Sequence, residues 1–232
     1  MIKGDSYKII PMLVNAGLVF DHIITDPPYN ISKENNFKTM RGVRQGIDFG
    51  EWDKGFDYLT WIELAYPLVR DGGSFVVFCD FKVVSHIIDK MEAIGIEFKD
   101  VIIWKKTNPM PRNRDRRYAQ DKEVAVWGVK PGKWIFNRLD RPFVSTIIET
   151  PLVSGKKKNG HPTQKHEILM EQLILTHTDK GQLILDPFMG SGSTGEACLL
   201  HGRRFFGIER EDKWFAIAEQ RCNETVEQLT LI

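Results

Sequence analysis

The run Gln182–Asp186, followed by Pro187-Phe188-Met189-Gly190-Ser191-Gly192-Ser193-Thr194-Gly195, constrains the fold more than any other stretch. It reads as an apolar strand, a glycine turn matching G-x-G-x-x-G, and a helix extending to about His201. Such a unit usually opens a nucleotide-binding sheet. Here only one further strand, Arg204–Glu209, and a final helix from Glu211 follow it. One strand cannot complete a sheet, so the earlier strands must join it, with the C-terminal strand–helix–strand unit at its centre. The expectation is a single domain over residues 1–232 in permuted order, a length that suits one α/β domain with a modest insertion.

The earlier strands are legible in chain order. Ile2–Ser6 reads as a short strand, after which Ser6 can cap a helix that Pro11 bends or restarts. Val19–Thr25 is a buried strand whose exit is Asp26-Pro27-Pro28-Tyr29. A helix over Asp57–Arg70, the strand Ser74–Cys79, a helix over Lys82–Ile94 and the strand Phe98–Trp104 continue the alternation expected of a parallel sheet. Glu123–Val129 alternates and suits an antiparallel partner, and Thr163–Thr176 is helical. Asn30–Gly50 is polar, glycine-punctuated and long for a connection, as a flexible lid over an active site would be.

Two strand exits carry the chemistry. Open α/β sheets bind ligands beyond the carboxyl ends of their strands, and Asp26–Tyr29 and Asp186–Gly192 both follow such ends. Glu209 lies one strand beyond the glycine turn, where an acid can bind ribose hydroxyls. Asp186 stands directly before the turn, where it would repel a pyrophosphate but suit a cationic ligand. That favours S-adenosylmethionine, which carries an amino group and a sulfonium, over NAD. At the other exit, the Asp26 carboxylate and the Pro27 carbonyl, stiffened by Pro28, can each accept an N–H from an exocyclic base amine. Preorganised acceptors of this kind stabilise charge that develops only in the transition state. Tyr29 offers a face on which a flipped-out base can stack.

Lys105–Tyr118 contains Lys105, Lys106, Arg112, Arg114, Arg116 and Arg117 against one acid, Asp115. With a net charge of only +1 for the chain, this local cluster is the expected contact for DNA phosphates or guanine edges. Residues 105–160 are expected to hold a small target-recognition region. The three cysteines have no close pair, which suits a reducing cytoplasm, and no cysteine–histidine set has metal-ligand spacing, so no metal is expected. No apolar run suits a signal peptide or a membrane span.

These motifs together resemble the beta-class DNA amino-methyltransferases, in which Asp-Pro-Pro-Tyr precedes the target-recognition region and Phe-x-Gly-x-Gly comes last. The resemblance takes in Gly4-Asp5, Asp26–Tyr29, Asn108-Pro109, His161-Pro162-Thr163-Gln164-Lys165, Asp186–Gly195 and Gly207-Ile208-Glu209. It implies a circularly permuted Rossmann-like fold, with a mixed, mostly parallel seven-stranded sheet and helices on both faces. It also implies that Asp5 lies by the cofactor adenine with Ser6 beside it, and that Phe188 packs on the cofactor. Thr163 and Lys165 would hold the methionine carboxylate, Glu209 the ribose, and Asp186, Gly190, Ser191 and Gly192 complete the cofactor site. Asp26, Pro27, Pro28 and Tyr29 form the catalytic motif. His166 stands where the family often has proline, a local change in helix entry. Asp at the first motif position leans toward adenine N6 and Ser toward cytosine N4. The implied activity is site-specific methylation of double-stranded DNA, in a bacterial or phage-encoded cytoplasmic enzyme. A homodimer and a separately acting restriction endonuclease are possible partners. Cytosine-N4 methylation, an NAD-dependent oxidoreductase and a non-catalytic DNA-binding module are the competing readings.

Overall fold

In the computed structural model, residues 1–29, 37–39, 42–44, 55–109, 115–116, 118–153 and 164–230 are described. Among them an eight-stranded sheet runs through the chain. Its strands are Ile2–Lys3 (β1), His22–Thr25 (β2), Ser74–Cys79 (β5), Glu97–Lys106 (β6), Lys122–Val129 (β7), Ile147–Thr150 (β8), Leu183–Asp186 (β9) and Arg204–Glu209 (β10). Phe37–Thr39 (β3) and Gly42–Arg44 (β4) pair separately as an antiparallel ribbon, within the stretch expected to be a lid. The rest of Asn30–Gly50 lies outside the described residues.

The order across the sheet is β1-β10-β9-β2-β5-β7-β6-β8, and only β7 runs antiparallel to its neighbours. The permutation expected from the sequence is present: β9 pairs with β2, and β1 pairs with β10. The C-terminal unit is not at the centre, however. β10 and β9 lie between the edge strand β1 and β2, toward one side. The eighth strand is β8, in a Pro/Gly-punctuated stretch where no strand was expected. Its run Ile147-Ile148-Glu149-Thr150 is short but β-rich, and it pairs in parallel with Ile103–Lys106.

Helices cover both faces. Ser6–Asn15 (α1), Thr60–Ala65 (α2) and Val84–Ala93 (α3) pack on one face through Ile10, Trp61, Ile87 and Met91, against Ile23, Phe75 and Val77. Glu167–His177 (α4) and Ser193–Leu200 (α5) pack on the other through Leu169, Leu173 and Cys198, against Ile24, Val76 and Phe78. The continuous apolar run Ser74–Cys79 follows from this: successive residues point to opposite faces and both are covered. Asp212–Thr230 (α6) lies over α5. Pro11 does not interrupt α1, which is continuous to Asn15; its N-cap is Asp5, whose carboxylate accepts from the Tyr7 N–H at 3.0 Å. No helix among the described residues is long and apolar enough to cross a membrane.

One consequence of the topology decides where chemistry can occur. The parallel strands all end at one edge of the sheet, and the antiparallel β7 begins there. Residues at the ends of β1, β10, β9, β2, β5 and β6 therefore lie along the same edge as the first residues of β7.

Candidate active site

A cleft of about 350 Å³ opens at that edge. It is lined both by Asp26-Pro27-Pro28-Tyr29 and by Asp186–Ser191 with Glu209, so the two motifs share one cavity. The pairing of His22 with Ile184 and Ile23 with Leu185 sets this proximity, because it puts the exits of β2 and β9 side by side. Its volume falls in the range of small-ligand sites.

The glycine turn is built by close packing. Gly192 has φ +79° at the N-terminus of α5, and a Cβ there would lie 3.0 Å from Ala218 Cα. At Gly195 a Cβ would come within 2.7 Å of the Phe205 ring and 2.9 Å of Cys222 Sγ, so the glycine lets α5 approach β10 and α6. Glu209 fastens the turn: one carboxylate oxygen accepts from the Gly190 N–H at 3.0 Å, the other from Glu211 N–H at 2.8 Å. Burial raises the Glu209 pKa against those bonds.

Asp186 is buried and accepts from Thr25 Oγ1 and Thr194 Oγ1, each at 2.6 Å, and from Phe188 N–H at 3.1 Å. Burial outweighs those hydrogen bonds and pushes its pKa up to about 6. No cationic side chain pairs with it among the described residues. A buried carboxylate that borders a cavity without a cation fits a ligand that brings one. Phe188 stands edge-on to Phe56 at 5.2 Å and to Trp61 at 5.3 Å, giving the cleft a rigid aromatic wall. Asp5 and Ser6 line the same cleft, and the Ser6 hydroxyl donates to the Pro187 carbonyl. The residues present therefore fit the S-adenosylmethionine expected from the sequence.

The acceptor end is held by charge. Tyr29 donates its hydroxyl to Asp26 Oδ1, and Lys165 forms an ion pair with Asp26 Oδ2. Burial and the Asp26 carboxylate push the Tyr29 phenol well above its usual range, so it remains a donor. Burial also raises the Asp26 pKa, with Lys165 opposing. Lys165 itself is 4% exposed; burial would discharge it, but Asp26 and Glu123 hold it protonated. Among the described residues, no hydrogen bond reaches the Pro27 carbonyl.

Several expected residues stand elsewhere than their sequence neighbourhood suggested. Lys165 lines the cleft, as a contact for a methionine carboxylate would, but its ammonium sits between Asp26 and Glu123, 3.0 Å from the latter. Lys106, grouped with the DNA-binding residues, turns inward and pairs with Glu123 at 2.6 Å. Lys105 pairs with Glu149 at 3.0 Å. Lys105 and Lys106 therefore do have compensating acids, supplied by β8 and β7. Arg116 is exposed, whereas Thr163, Arg112, Arg114 and Arg117 lie outside the described residues. His166 takes over the helix entry directly: its Nδ1 accepts from the Ile168 N–H at 3.2 Å as the N-cap of α4. Glu123 was not anticipated as a site residue. A lone acid at the start of an alternating strand gives no local signal, and only the antiparallel course of β7 brings it to Lys165.

A permuted Rossmann-like sheet whose strand tips carry both motifs in one cleft defines an α/β protein of the methyltransferase type. The N6/N4 methyltransferase family model, described as DNA methylase, matches residues 20–220, and the chain belongs to that family. Among curated relatives, the type II methyltransferase M.HinfI of Haemophilus influenzae is 29% identical over 97% of this chain and 68% of its own length. M2.DpnII of Streptococcus pneumoniae is 29% identical over 97% of this chain and 91% of its own. Among solved structures, the M1.HpyAVI–SAM complex superposes with a TM-score of 0.80 at 41% identity, covering 95% of this chain and 97% of that one. The cytosine-N4-specific PvuII DNA methyltransferase shares the fold, with a TM-score of 0.71 at 15% identity, covering 98% of this chain and 89% of that one.

Proposed function

We propose that this protein is a site-specific DNA methyltransferase that moves a methyl group from S-adenosylmethionine to the exocyclic N6 of a flipped-out adenine. The observation that carries the reading is the single cleft bordered by Asp26–Tyr29 on one side and by Asp186, Gly190 and Glu209 on the other. The solved relative in complex with SAM, 41% identical, supports the donor. Bound there, S-adenosylmethionine supplies a methyl group made electrophilic by the sulfonium.

In this reading the cofactor end consists of Asp5, Ser6, Asp186, Phe188, Gly190, Ser191, Gly192 and Glu209, with Thr163 at the methionine carboxylate, while Lys165, whose ammonium lies between Asp26 and Glu123, belongs to the acceptor end. Glu209 receives the ribose hydroxyls on lone pairs left free by its two backbone bonds. Asp186 balances the ligand's positive charge. At the acceptor end, Asp26 and the Pro27 carbonyl each accept one N–H of the base amine. That frees the nitrogen lone pair from the ring and aims it at the methyl carbon. Pro28 fixes the carbonyl's direction and Tyr29 stacks on the base. The amine's proton leaves after the methyl has arrived, so Asp26 need not act as a strong base.

Double-stranded DNA is held by the 105–160 region, with Arg112, Arg114, Arg116 and Arg117 as phosphate or base contacts and Lys105 and Lys106 at its root. The type II designation of the curated relatives supports a role in restriction–modification, beside a separate endonuclease, in a bacterial cytoplasm. The small recognition region favours a homodimer on DNA, which light scattering with and without a duplex tests.

The reading is tested by incubating genomic DNA with the protein and methyl-deuterated S-adenosylmethionine, then digesting to nucleosides and weighing the products. Labelled N6-methyladenine is expected. Label found only in N4-methylcytosine would overturn the adenine assignment, and no labelled nucleoside would overturn the reaction.

A further inference from the structure

Both oxygens of Asp26 are already engaged, one by the Tyr29 hydroxyl and one by the Lys165 ammonium. Each oxygen keeps a further lone pair, but a base amine that approaches it competes with a donor already in place. For Lys165 a second carboxylate is at hand. Its Nζ lies 3.0 Å from Glu123 Oε2, and the other Glu123 oxygen is 2.6 Å from Lys106 Nζ. Asp26, Lys165, Glu123 and Lys106 thus form a row of alternating charge, drawn from β2, the entry to α4, the start of β7 and the end of β6. An ammonium stripped of its only carboxylate at so buried a position would be costly, whereas one that retains a second carboxylate is not.

We propose that Glu123 is a positioning residue for methyl transfer: it holds Lys165 when the incoming base amine displaces that ammonium from Asp26, and so controls the availability of the Asp26 carboxylate. This rests on the function proposed above. Glu123 does not border the cleft and acts only through Lys165. Its charge faces Asp26 together with Tyr29 and the Cys79 thiol at the end of β5, while Asp186 faces Asp26 from β9. Lys106 keeps Glu123 ionised, since burial raises its pKa but Lys165 and Lys106 more than reverse that.

The test is Glu123→Gln, which removes the charge and keeps the shape. Lys165 is then left with Asp26 alone and competes with the substrate amine. kcat is expected to fall by about 10- to 100-fold, with KM for S-adenosylmethionine within about twofold of wild type. The Asp26 titration also moves, because losing a neighbouring negative charge and gaining undivided contact with Lys165 both favour the carboxylate. Its midpoint, followed by carboxyl carbon NMR in the ligand-free protein, is expected to shift downward, and the acid limb of the kcat profile with it. Glu123→Asp is expected to recover part of the rate. If the single variant is unfolded at the assay temperature, Glu123→Gln/Lys106→Gln, which removes one charge of each sign, carries the same test. An unchanged kcat, or a lower kcat with an unmoved Asp26 midpoint, overturns the proposal. Wild-type protein that methylates no base would defeat the functional reading instead. The NMR titration needs no turnover, so it tests the charge coupling in either case.

Discussion

At the donor end of the cleft, carboxylates are held by neutral donors: Asp186 by two threonine hydroxyls and an amide, Glu209 by two backbone amides. At the acceptor end, the carboxylates of Asp26 and Glu123 are held by the ammonium groups of Lys165 and Lys106. Hydroxyl and amide bonds fix position without cancelling charge, so the donor end keeps an uncompensated anion for a cationic ligand. Ion pairs cancel charge and can be exchanged, so the acceptor end can hand Asp26 to a substrate amine and take it back. One end is a fixed mould and the other is a set of interchangeable partners.

If the ends are this different, substitutions should separate them. The largest effect is expected from Asp26→Ala, which removes an acceptor used in the transition state. Methyl transfer should fall by at least about 10²–10³-fold, while S-adenosylmethionine affinity by calorimetry stays within a few-fold. Near-normal turnover would remove the carboxylate from the mechanism. Next, Gly192→Ala strains the donor end alone. The φ of +79° and the close Ala218 backbone should cost about 1–3 kcal/mol of stability, read by urea denaturation, and weaken cofactor binding. An unaltered stability and affinity would show that the turn is less tightly packed than described.

The donor end should also respond to pH. Asp186 has a folded pKa of about 6, above its ordinary carboxylate value, because burial disfavours its charge. In the ligand-free protein that charge costs stability above about pH 6, and the cost is relieved as pH falls below it. A cationic ligand favours the ionised form, so its affinity should decline as pH drops through the same range. Flat affinity between pH 7 and pH 5 would mean that Asp186 does not face the ligand's charge. A smaller contrast lies in the basic region. Replacing Arg112 and Arg114 with alanine should lower the salt slope of DNA binding by about 2, since each phosphate contact contributes roughly one. Lys106→Ala should instead lower turnover with little change in that slope, because its ammonium is committed to Glu123. Unchanged DNA binding after loss of both arginines would move the DNA surface elsewhere.

What could be read in the sequence follows the range of the forces involved. The strands that form β1, β2, β5, β6, β7, β9 and β10 were legible because hydrophobic runs and glycine punctuation are local signals. β8 was not, because a four-residue edge strand between prolines carries little pattern of its own. The permutation was legible from connectivity alone, yet the position of the C-terminal unit across the sheet was not, since pairing partners leave no mark on local composition. The same division runs through the site. Asp26–Tyr29 and Gly190–Glu209 announce themselves at strand exits. Lys106 was grouped with its neighbours in sequence, whereas its partner Glu123 comes from 17 residues away across a strand pair. Lys165 meets Asp26 across 139 residues, a contact that only the finished sheet can make.

The claim on which the rest depends is that one ligand can span from Glu209 to the Asp26 side of the cleft. A crystal structure with bound S-adenosylhomocysteine and a target duplex tests it most directly. Ribose hydroxyls are expected on Glu209, with the sulfur turned toward Asp26 and an extruded adenine whose amine meets Asp26 and the Pro27 carbonyl. A nucleoside bound away from Glu209, or an adenine that enters elsewhere than at Asp26–Tyr29, would contradict it.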